Sequence, residues 1–256
     1  MKRFSHIYDI DIDDLNLKDF SFLDFIRGVV FNPKQKIEKL YIDTTFSKSK
    51  LCKLGETEFN DKSPYNNHGH RHPYTPIYDL ILAPFKRKKI NIAEFGIASN
   101  ASMRIWRDYF AKAEIHGFEF KQELIEKAKK ENLKDVYYHK LDVRDDFAID
   151  YKFAQLKKKG VDFDVIIDDS SHAFEDQVRI ISKCFKYLKT GGIIIIEDIY
   201  RYDENYSEQK FYLKLSSFIK YFEYIKIIDP DHFNKFTEGY DNNRLIILVR
   251  NDAEIS

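Results

Sequence analysis

From about residue 77 onwards, short apolar runs alternate with longer amphipathic stretches along the chain. Runs such as FDVIIDD and IIIIED are apolar and end in polar turns, which is typical of strands in a parallel sheet covered on both faces. Stretches such as KQELIEKAKKEN and EDQVRIISKCFKYL have the spacing of amphipathic helices. This alternation predicts five strands with helices between them. A further helix, QKFYLKLSSFIKYF, precedes two closing strands, EYIKIIDP and RLIILVR.

This order of elements predicts an α/β fold: a Rossmann-like, doubly wound sheet of seven strands, mostly parallel, with an antiparallel last strand. Residues 1–75 do not follow the alternation; they contain a helix-like FSFLDFIRGVV, a break at Pro33 and a loop rich in Asn, His and Pro. We therefore expect an N-terminal helical and loop region over residues 1–75, acting as a cap or lid, and a Rossmann-like domain over residues 76–256.

Composition and charge exclude several classes of protein. Of the 256 residues, 43% are hydrophobic and 33% are charged, and Lys plus Arg balance Asp plus Glu at 42 each, so no overall field attracts nucleic acid. No run approaches the roughly 18 apolar residues of a membrane span, and no leader follows the first charges, so we expect a cytoplasmic protein without membrane contact. Cys52 and Cys184 are far apart and lack framing histidine pairs, which argues against a disulfide framework or a zinc site.

The first candidate site follows the first strand of the alternation, in INIAEFGIASNASMRIW. A strand that ends at Glu94, followed by Gly96 and a short loop into a helix, is typical of the first turn of a nucleotide-binding domain. Glycine lets the backbone approach a ligand closely. Such loops usually carry two or three glycines and this one has a single glycine, so an ordinary strand-to-helix turn stays an alternative.

Two later strand ends favour the ligand-binding interpretation. Glu119 ends the second strand, where an acidic side chain commonly accepts both hydroxyls of a ribose. Asp142 and Val143 end the third strand, where a carboxylate and a backbone amide can bind the edge of an adenine. Each carboxylate alone is more often solvated or a helix cap. The loop lacks a pyrophosphate cradle, so adenosine with its charge elsewhere fits better than a dinucleotide.

A cluster of carboxylates is predicted where the next two strands end. Asp168 and Asp169 end the fourth strand, and Glu197 and Asp198 end the fifth. Neighbouring strands lie about 4.8 Å apart, so these acids repel one another unless a cation or protons neutralise them. Oxygen ligands in this number suit Mg²⁺, or else Mn²⁺ or Ca²⁺, although some of the acids could cap the following helices instead. His172 lies three residues past Asp169, where a neutral imidazole could accept the proton of a coordinated hydroxyl.

Together these motifs resemble class I S-adenosylmethionine-dependent methyltransferases, and more narrowly the metal-dependent sugar O-methyltransferases of macrolide biosynthesis. The resemblance covers about residues 60 to 200 and is specific in three blocks. NDKSPYNNHGHRHPYTPIYDLILAPF is similar to the family's lead-in, EFGIASNASMRIWRDYF to its glycine-loop block, and DVIIDDSSH with GGIIIIED to its D-D-G-S-H and E-D pair.

The resemblance implies an O-methyltransferase that uses S-adenosylmethionine and Mg²⁺ or Mn²⁺ and acts on a sugar or a nucleotide-linked sugar. A catechol-like acceptor and a non-catalytic nucleoside-binding protein stay as alternatives. The catalytic residue would be His172. The cofactor-binding residues would be Glu94, Gly96, Glu119, Asp142, Val143 and Asp168, and the metal ligands Asp169, Glu197 and Asp198.

The sequence departs from the family pattern at several positions. Ala98, Ser99 and Asn100 stand where the family usually has glycines. The segment after Asp198 is IYRYDENY rather than hydroxyl-rich, which points to a different acceptor sugar. Arg201 in this segment and Lys210 beyond it could contact a phosphate of the acceptor. Other expected acceptor contacts are the 60–75 loop and the aromatic segment 200–206. The apolar FSFLDFIRGVVF is the natural place for a contact between copies of a homo-oligomer.

Overall fold

The computed structural model describes residues 37–239 and 241–255. The expected helix FSFLDFIRGVV, the Pro33 break and the expected oligomer contact lie outside these residues. The strands are β1 (Glu38–Asp43), β2 (Asn91–Phe95), β3 (Glu114–Glu119), β4 (Val136–Lys140), β5 (Phe163–Asp168), β6 (Leu188–Ile196), β7 (Phe222–Asp231) and β8 (Leu245–Arg250). The helices are α1 (Lys50–Thr57), α2 (Tyr74–Leu82), α3 (Ala101–Tyr109), α4 (Gln122–Lys129), α5 (Asp146–Lys158), α6 (Phe174–Cys184) and α7 (Glu208–Leu215).

All eight strands form one sheet in the order β1-β7-β8-β6-β5-β2-β3-β4. β8 pairs antiparallel with both β6 and β7, whereas the other neighbouring strands pair in parallel. The predicted fold class, a Rossmann-like and mostly parallel sheet with an antiparallel last strand, is therefore confirmed. The sheet has one strand more than predicted, because β1 pairs with β7 at the edge.

Both faces of the sheet are buried, which explains the apolar runs. Along β5, Val165 and Ile167 belong to one core cluster and Ile166 to the other, as the two-residue period of a strand requires. Helices α1–α4 contribute to the cluster that contains Val165, and α5–α7 contribute to the cluster that contains Ile166. Within the described ranges, no helix has the length and apolar character needed to cross a membrane.

Candidate active site at the carboxyl ends of the strands

The central strands bring the predicted site residues to one edge of the sheet. In the register of the sheet, Phe95 of β2 pairs with Asp168 of β5, and Asp168 pairs with Ile196 of β6. Beyond these pairs, the backbone N–H of Asp169 donates to Phe95 O at 2.9 Å, and that of Glu197 donates to Asp168 O at 3.0 Å. Residues from distant parts of the sequence therefore meet at the carboxyl ends of three adjacent strands.

Three of these residues converge closely enough to share an ion. One ligand atom from each of Asp169, His172 and Asp198 lies within 4.8 Å of the others. His172 Nε2 is 3.5 Å from Asp198 Oδ2, and the His172 side chain remains 31% exposed. The two carboxylates are oxygen ligands that suit Mg²⁺ or Mn²⁺, and the imidazole beside them would stay available as a base. The predicted ligands Asp169 and Asp198 thus lie together, and His172, predicted as a base, lies beside them.

The carboxylates also surround a buried lysine that the sequence analysis missed. Lys62 is 2% exposed, and its ammonium forms a close ion pair with Asp169. The same Nζ donates to Glu197 Oε2 at 2.7 Å and lies 3.7 Å from Glu94 Oε1. Lys62 stands in the lead-in block quoted above. Four strand-end acids indicate a need for positive charge, but they do not indicate which residue supplies it.

Two tyrosines of α2 donate hydrogen bonds to the two acids that follow β6. Tyr78 donates its hydroxyl to Glu197 Oε1 at 2.5 Å, and Tyr74 donates to Asp198 Oδ1 at 2.8 Å. Burial raises the pKa of each tyrosine, and the neighbouring carboxylates raise it further, so both hydroxyls keep their protons. The predicted metal ligand Glu197 lies in the cluster, but Lys62 and Tyr78 already donate to its two oxygens.

A cavity of about 350 Å³ adjoins this cluster. It lies over the ends of β2, β3, β4 and β5, and Asp169 is part of its wall. Gly96 also lines it, with a φ of +83°, and a Cβ at this position would lie 2.0 Å from the carbonyl oxygen of Asp169. Only glycine therefore fits between the first loop and the end of β5.

Three other predicted cofactor residues line the same cavity. Glu119 accepts hydrogen bonds from the backbone N–H of Lys121 at 2.8 Å and of Ile97 at 3.3 Å, which fixes its carboxylate at the end of β3. Asp142 and Val143 line the neighbouring part, beyond β4. The carboxylate of Asp142 also pairs with Arg144, which lowers the pKa of Asp142.

The remaining two predicted cofactor residues lie beneath the cavity rather than in its wall. Glu94 is fully buried; it accepts from the indole N–H of Trp106, and burial raises its pKa to about 7. Asp168 is 2% exposed and accepts from the Ser170 hydroxyl at 2.6 Å. Burial raises the pKa of Asp168 to about 6. Neither is part of the described lining, so the geometry supports a role in holding the loops rather than direct contact with a ligand.

Strained backbone is concentrated in this site. Ala98, Asn100, His172 and Asp198 all have positive φ, between +40° and +67°, which side chains other than glycine adopt at a cost. The loop therefore keeps left-handed backbone where the family usually has glycines, with strain at Ala98 and with an asparagine at position 100. Asn100 accepts from Tyr138 Oη at 2.9 Å.

The residues predicted to contact an acceptor have different surroundings in the structure. Arg201 Nη2 donates to the backbone carbonyls of Asn243 at 2.8 Å and Pro230 at 3.0 Å, so it is not free for the expected phosphate contact. Tyr206, in the aromatic segment 200–206, donates to the backbone carbonyl of His172 at 2.8 Å and so supports the candidate base. In the 60–75 loop, Tyr74 reaches the acid cluster directly, through its bond to Asp198.

Comparison with known proteins identifies the domain. A family profile described as a methyltransferase domain matches residues 97–238, just over half of the chain. The chain is 27% identical over 135 residues to an 8-demethyl-8-alpha-L-rhamnosyl tetracenomycin-C 2'-O-methyltransferase of Streptomyces olivaceus, and 23% identical over 139 residues to a mycinamicin VI 2''-O-methyltransferase of Micromonospora griseorubida. These matches cover 50% and 52% of this chain but only 33% of each relative.

A solved structure has the same fold. The methyltransferase MycE of mycinamycin biosynthesis, in complex with Mg and SAH, superposes with a TM-score of 0.58 at 18% sequence identity. The superposition covers 80% of this chain and 55% of MycE. At this identity the likeness establishes the fold.

Proposed function

This chain belongs to the methyltransferase domain family, and from that premise we propose that it transfers a methyl group from S-adenosylmethionine to a hydroxyl of a sugar, with the help of a divalent cation. The chain spans about a third of the length of the curated relatives it matches. The activity of the whole protein, its acceptor and its use of metal are therefore parts of the proposal.

The position of Asp169 carries the proposal. This residue is in the wall of the 350 Å³ cavity. It also lies close to His172 and Asp198, with which it forms the candidate metal site. A methyl donor bound in the cavity and an acceptor hydroxyl bound at the acid cluster would therefore lie next to each other, on either side of Asp169. Methyl transfer requires this proximity, because the attacking oxygen and the methyl carbon must be aligned at close range.

The cavity wall suits the adenosine part of the donor. The carboxylate of Glu119, fixed by two backbone N–H groups, is available to accept the ribose hydroxyls. Asp142 and the backbone N–H of Val143 would bind the adenine edge. Gly96 allows the first loop to approach the ligand. Beneath it, Glu94 accepts from Trp106 of α3, and Asp168 accepts from Ser170 just past the end of β5.

The acid cluster suits a divalent cation. Asp169 and Asp198 would hold it, with Glu197 in the adjoining position and Lys62 supplying part of the positive charge. When bound, the cation would lower the pKa of a coordinated hydroxyl and orient the acceptor.

His172 would act as the base. Its half-buried imidazole lies 3.5 Å from Asp198, and its backbone carbonyl accepts from Tyr206, which fixes the backbone at the edge of the site. In the proposed step, an O–C bond forms to the methyl group while the S–C bond breaks. The proton of the acceptor hydroxyl passes to His172 Nε2, and S-adenosylhomocysteine is the other product.

The name of the Streptomyces olivaceus relative describes O-methylation of a rhamnosyl compound, which supports a sugar acceptor here. A nucleotide-linked sugar has less support than expected, since Arg201 is committed to backbone carbonyls.

Calorimetric titration with S-adenosylhomocysteine in Mg²⁺ buffer tests the cofactor part without knowledge of the acceptor. We expect micromolar binding, abolished in Glu119→Ala and unchanged in Glu123→Ala, which removes an exposed carboxylate of α4. Absence of binding by the unmodified protein would contradict the proposal and favour a non-catalytic protein of this fold.

The reaction itself is tested by supplying S-adenosylmethionine with glycosylated acceptors and detecting a mass gain of one methyl group. EDTA should stop methyl transfer. His172→Ala should lower the rate by roughly 100-fold or more while leaving S-adenosylhomocysteine affinity intact. An undiminished rate in either experiment would remove the metal or the base from the mechanism.

A further inference from the structure

The position of Lys62 gives it a role in the metal site beyond that of a structural ion pair. Its buried ammonium contacts Asp169, Glu197 and Glu94, which come from the ends of three different strands. A charged side chain is costly to bury unless partners compensate it, and here the partners are the acids of the candidate metal site. Lys62 therefore supplies a positive charge directly beside two of the predicted metal ligands, Asp169 and Glu197.

The backbone of Lys62 is fixed as firmly as its side chain. Its N–H donates to Asn60 Oδ1 at 3.0 Å, and its carbonyl accepts from the N–H groups of Tyr74 at 3.1 Å and Thr75 at 2.9 Å, at the start of α2. The same helix supplies Tyr74 and Tyr78 to the acids of β6. One continuous segment, residues 62–78, thus supplies three donors to the acids: the ammonium of Lys62 and the hydroxyls of Tyr74 and Tyr78.

The charges of the three predicted metal ligands match a divalent ion only when Lys62 is counted with them. Asp169, Glu197 and Asp198 carry three negative charges when ionised, and the ammonium of Lys62 offsets one. Two negative charges remain, which a divalent cation would neutralise. Both oxygens of Glu197 accept, one from Lys62 and one from Tyr78. Asp169 pairs with the same ammonium through Oδ2 and Asp198 accepts from Tyr74 through Oδ1, and both also converge with His172.

We propose that Lys62 is a positioning residue that acts as the permanent counter-charge of the metal site: it holds Glu197 away from the ion and leaves the site with the charge of a divalent-ion binder. This inference rests on the proposed function, since it concerns the same metal site. It predicts that removing Lys62 strengthens ion binding, because an additional negative charge becomes available to the ion. A merely structural lysine would have the opposite effect.

The test is Mn²⁺ binding, measured by the electron paramagnetic resonance signal of free Mn²⁺. Lys62→Gln should bind Mn²⁺ at least about tenfold more tightly than the unmodified protein. Lys53→Gln, which removes an exposed lysine of α1, should bind it unchanged. Weaker or unchanged binding by Lys62→Gln would overturn the proposal.

A double variant covers the case in which Lys62→Gln does not fold. Lys62→Met/Glu197→Gln removes one positive and one negative charge, so the net charge of the cluster is preserved while Asp169 and Glu94 lose their contact with the ammonium. Its Mn²⁺ affinity should stay within about tenfold of the unmodified protein, and loss of binding would show that Glu197 is a ligand and overturn the inference.

The unmodified protein separates the inference from the proposed function. If it binds no Mn²⁺, the metal part of the proposed function fails, while a gain of binding in Lys62→Gln would still support the role of Lys62. If neither protein binds Mn²⁺, both proposals fail.

Discussion

At the scale of single residues, the loop after β2 uses strained backbone where glycine would be relaxed. Ala98 has a φ of +40°. An L-residue in the left-handed region costs about 1–2 kcal/mol, and replacing alanine by glycine costs about 0.4–1 kcal/mol through the unfolded chain. We therefore expect Ala98→Gly to raise the free energy of unfolding by about 0.5–1 kcal/mol, measured by denaturant titration.

The neighbouring Ser99 supplies the control, because its φ is not positive. Ser99→Gly has no strain to relieve and should lower the free energy of unfolding by about 0.5 kcal/mol. Equal effects of the two substitutions would mean that the loop does not store strain at Ala98.

Lys62 shows why the acids of the site could be predicted and their counter-charge could not. The acids stand directly after apolar strands, and a parallel sheet places such positions at one edge regardless of the rest of the chain. Lys62 lies 107 residues before Asp169 and in no predicted strand or helix. Its burial depends on how its loop packs on the start of α2, which no local pattern in the sequence reports.

At the scale of elements, Gly96 joins the cofactor side of the site to the metal side. A Cβ at Gly96 would lie 2.0 Å from Asp169 O, so Gly96→Ala must displace the end of β2 or of β5. We expect this variant to lose roughly 3 kcal/mol of stability or more, through overpacking and backbone strain together. It should also bind S-adenosylhomocysteine more weakly.

Gly160 separates these two costs. It has nearly the same φ, +81°, but no described atom lies within 4 Å of its virtual Cβ. Gly160→Ala should therefore lose only the strain term, about 1 kcal/mol, as seen in thermal unfolding. If both variants lost the same stability, the contact between Gly96 and Asp169 would not be limiting.

The pairing of β3 with β4 buries two histidines that resist protonation. His116 Nδ1 lies 3.0 Å from His139 Nε2, and burial lowers the pKa of His116 to about 4 and that of His139 to about 3. Below pH 6.5, the unfolded chain takes up protons that the folded imidazoles refuse. The contribution of this pair to stability is therefore fully present above pH 6.5 and decreases as the pH falls.

This prediction is checked as a difference between proteins. Burial raises the pKa of Glu94 and of Asp168, so their uptake of protons increases stability as the pH falls through part of the same range and offsets the histidines. We expect His139→Gln to lose less stability than the unmodified protein between pH 6.5 and 4.5, in denaturant titrations at each pH. A parallel pH dependence of the two proteins would contradict the assignment.

Two elements show the limits of prediction from local pattern. No stretch of sequence was assigned to helix α5, which buries only the narrow stripe of Ile149, Phe153 and Leu156. Strand β1 was expected to belong to a cap, because it lies outside the βαβ alternation. Its place in the sheet depends on pairing with β7, more than 180 residues later in the chain, which a local pattern does not show.

At the scale of the whole molecule, the sheet connects two binding regions through one strand end. The cavity lies over β2 to β5 and the acid cluster over β2, β5 and β6, and Asp169 belongs to both. The backbone of Asp169 is held by Phe95 and lies against Gly96. A ligand in the cavity that orders the end of β5 would therefore also order the metal ligand Asp169, and an ion bound to Asp169 would order the cavity wall.

We accordingly expect S-adenosylhomocysteine and Mn²⁺ to bind cooperatively. Each should tighten the other by roughly five- to tenfold, and the two factors must be equal because binding free energies are linked. Calorimetric titration of each ligand, with and without saturating amounts of the other, measures both factors. In Asp198→Asn, which alters the ion site but not the cavity wall, Mn²⁺ should no longer affect S-adenosylhomocysteine affinity. Independent binding of the two ligands to the unmodified protein would mean that Asp169 serves both regions without transmitting order between them.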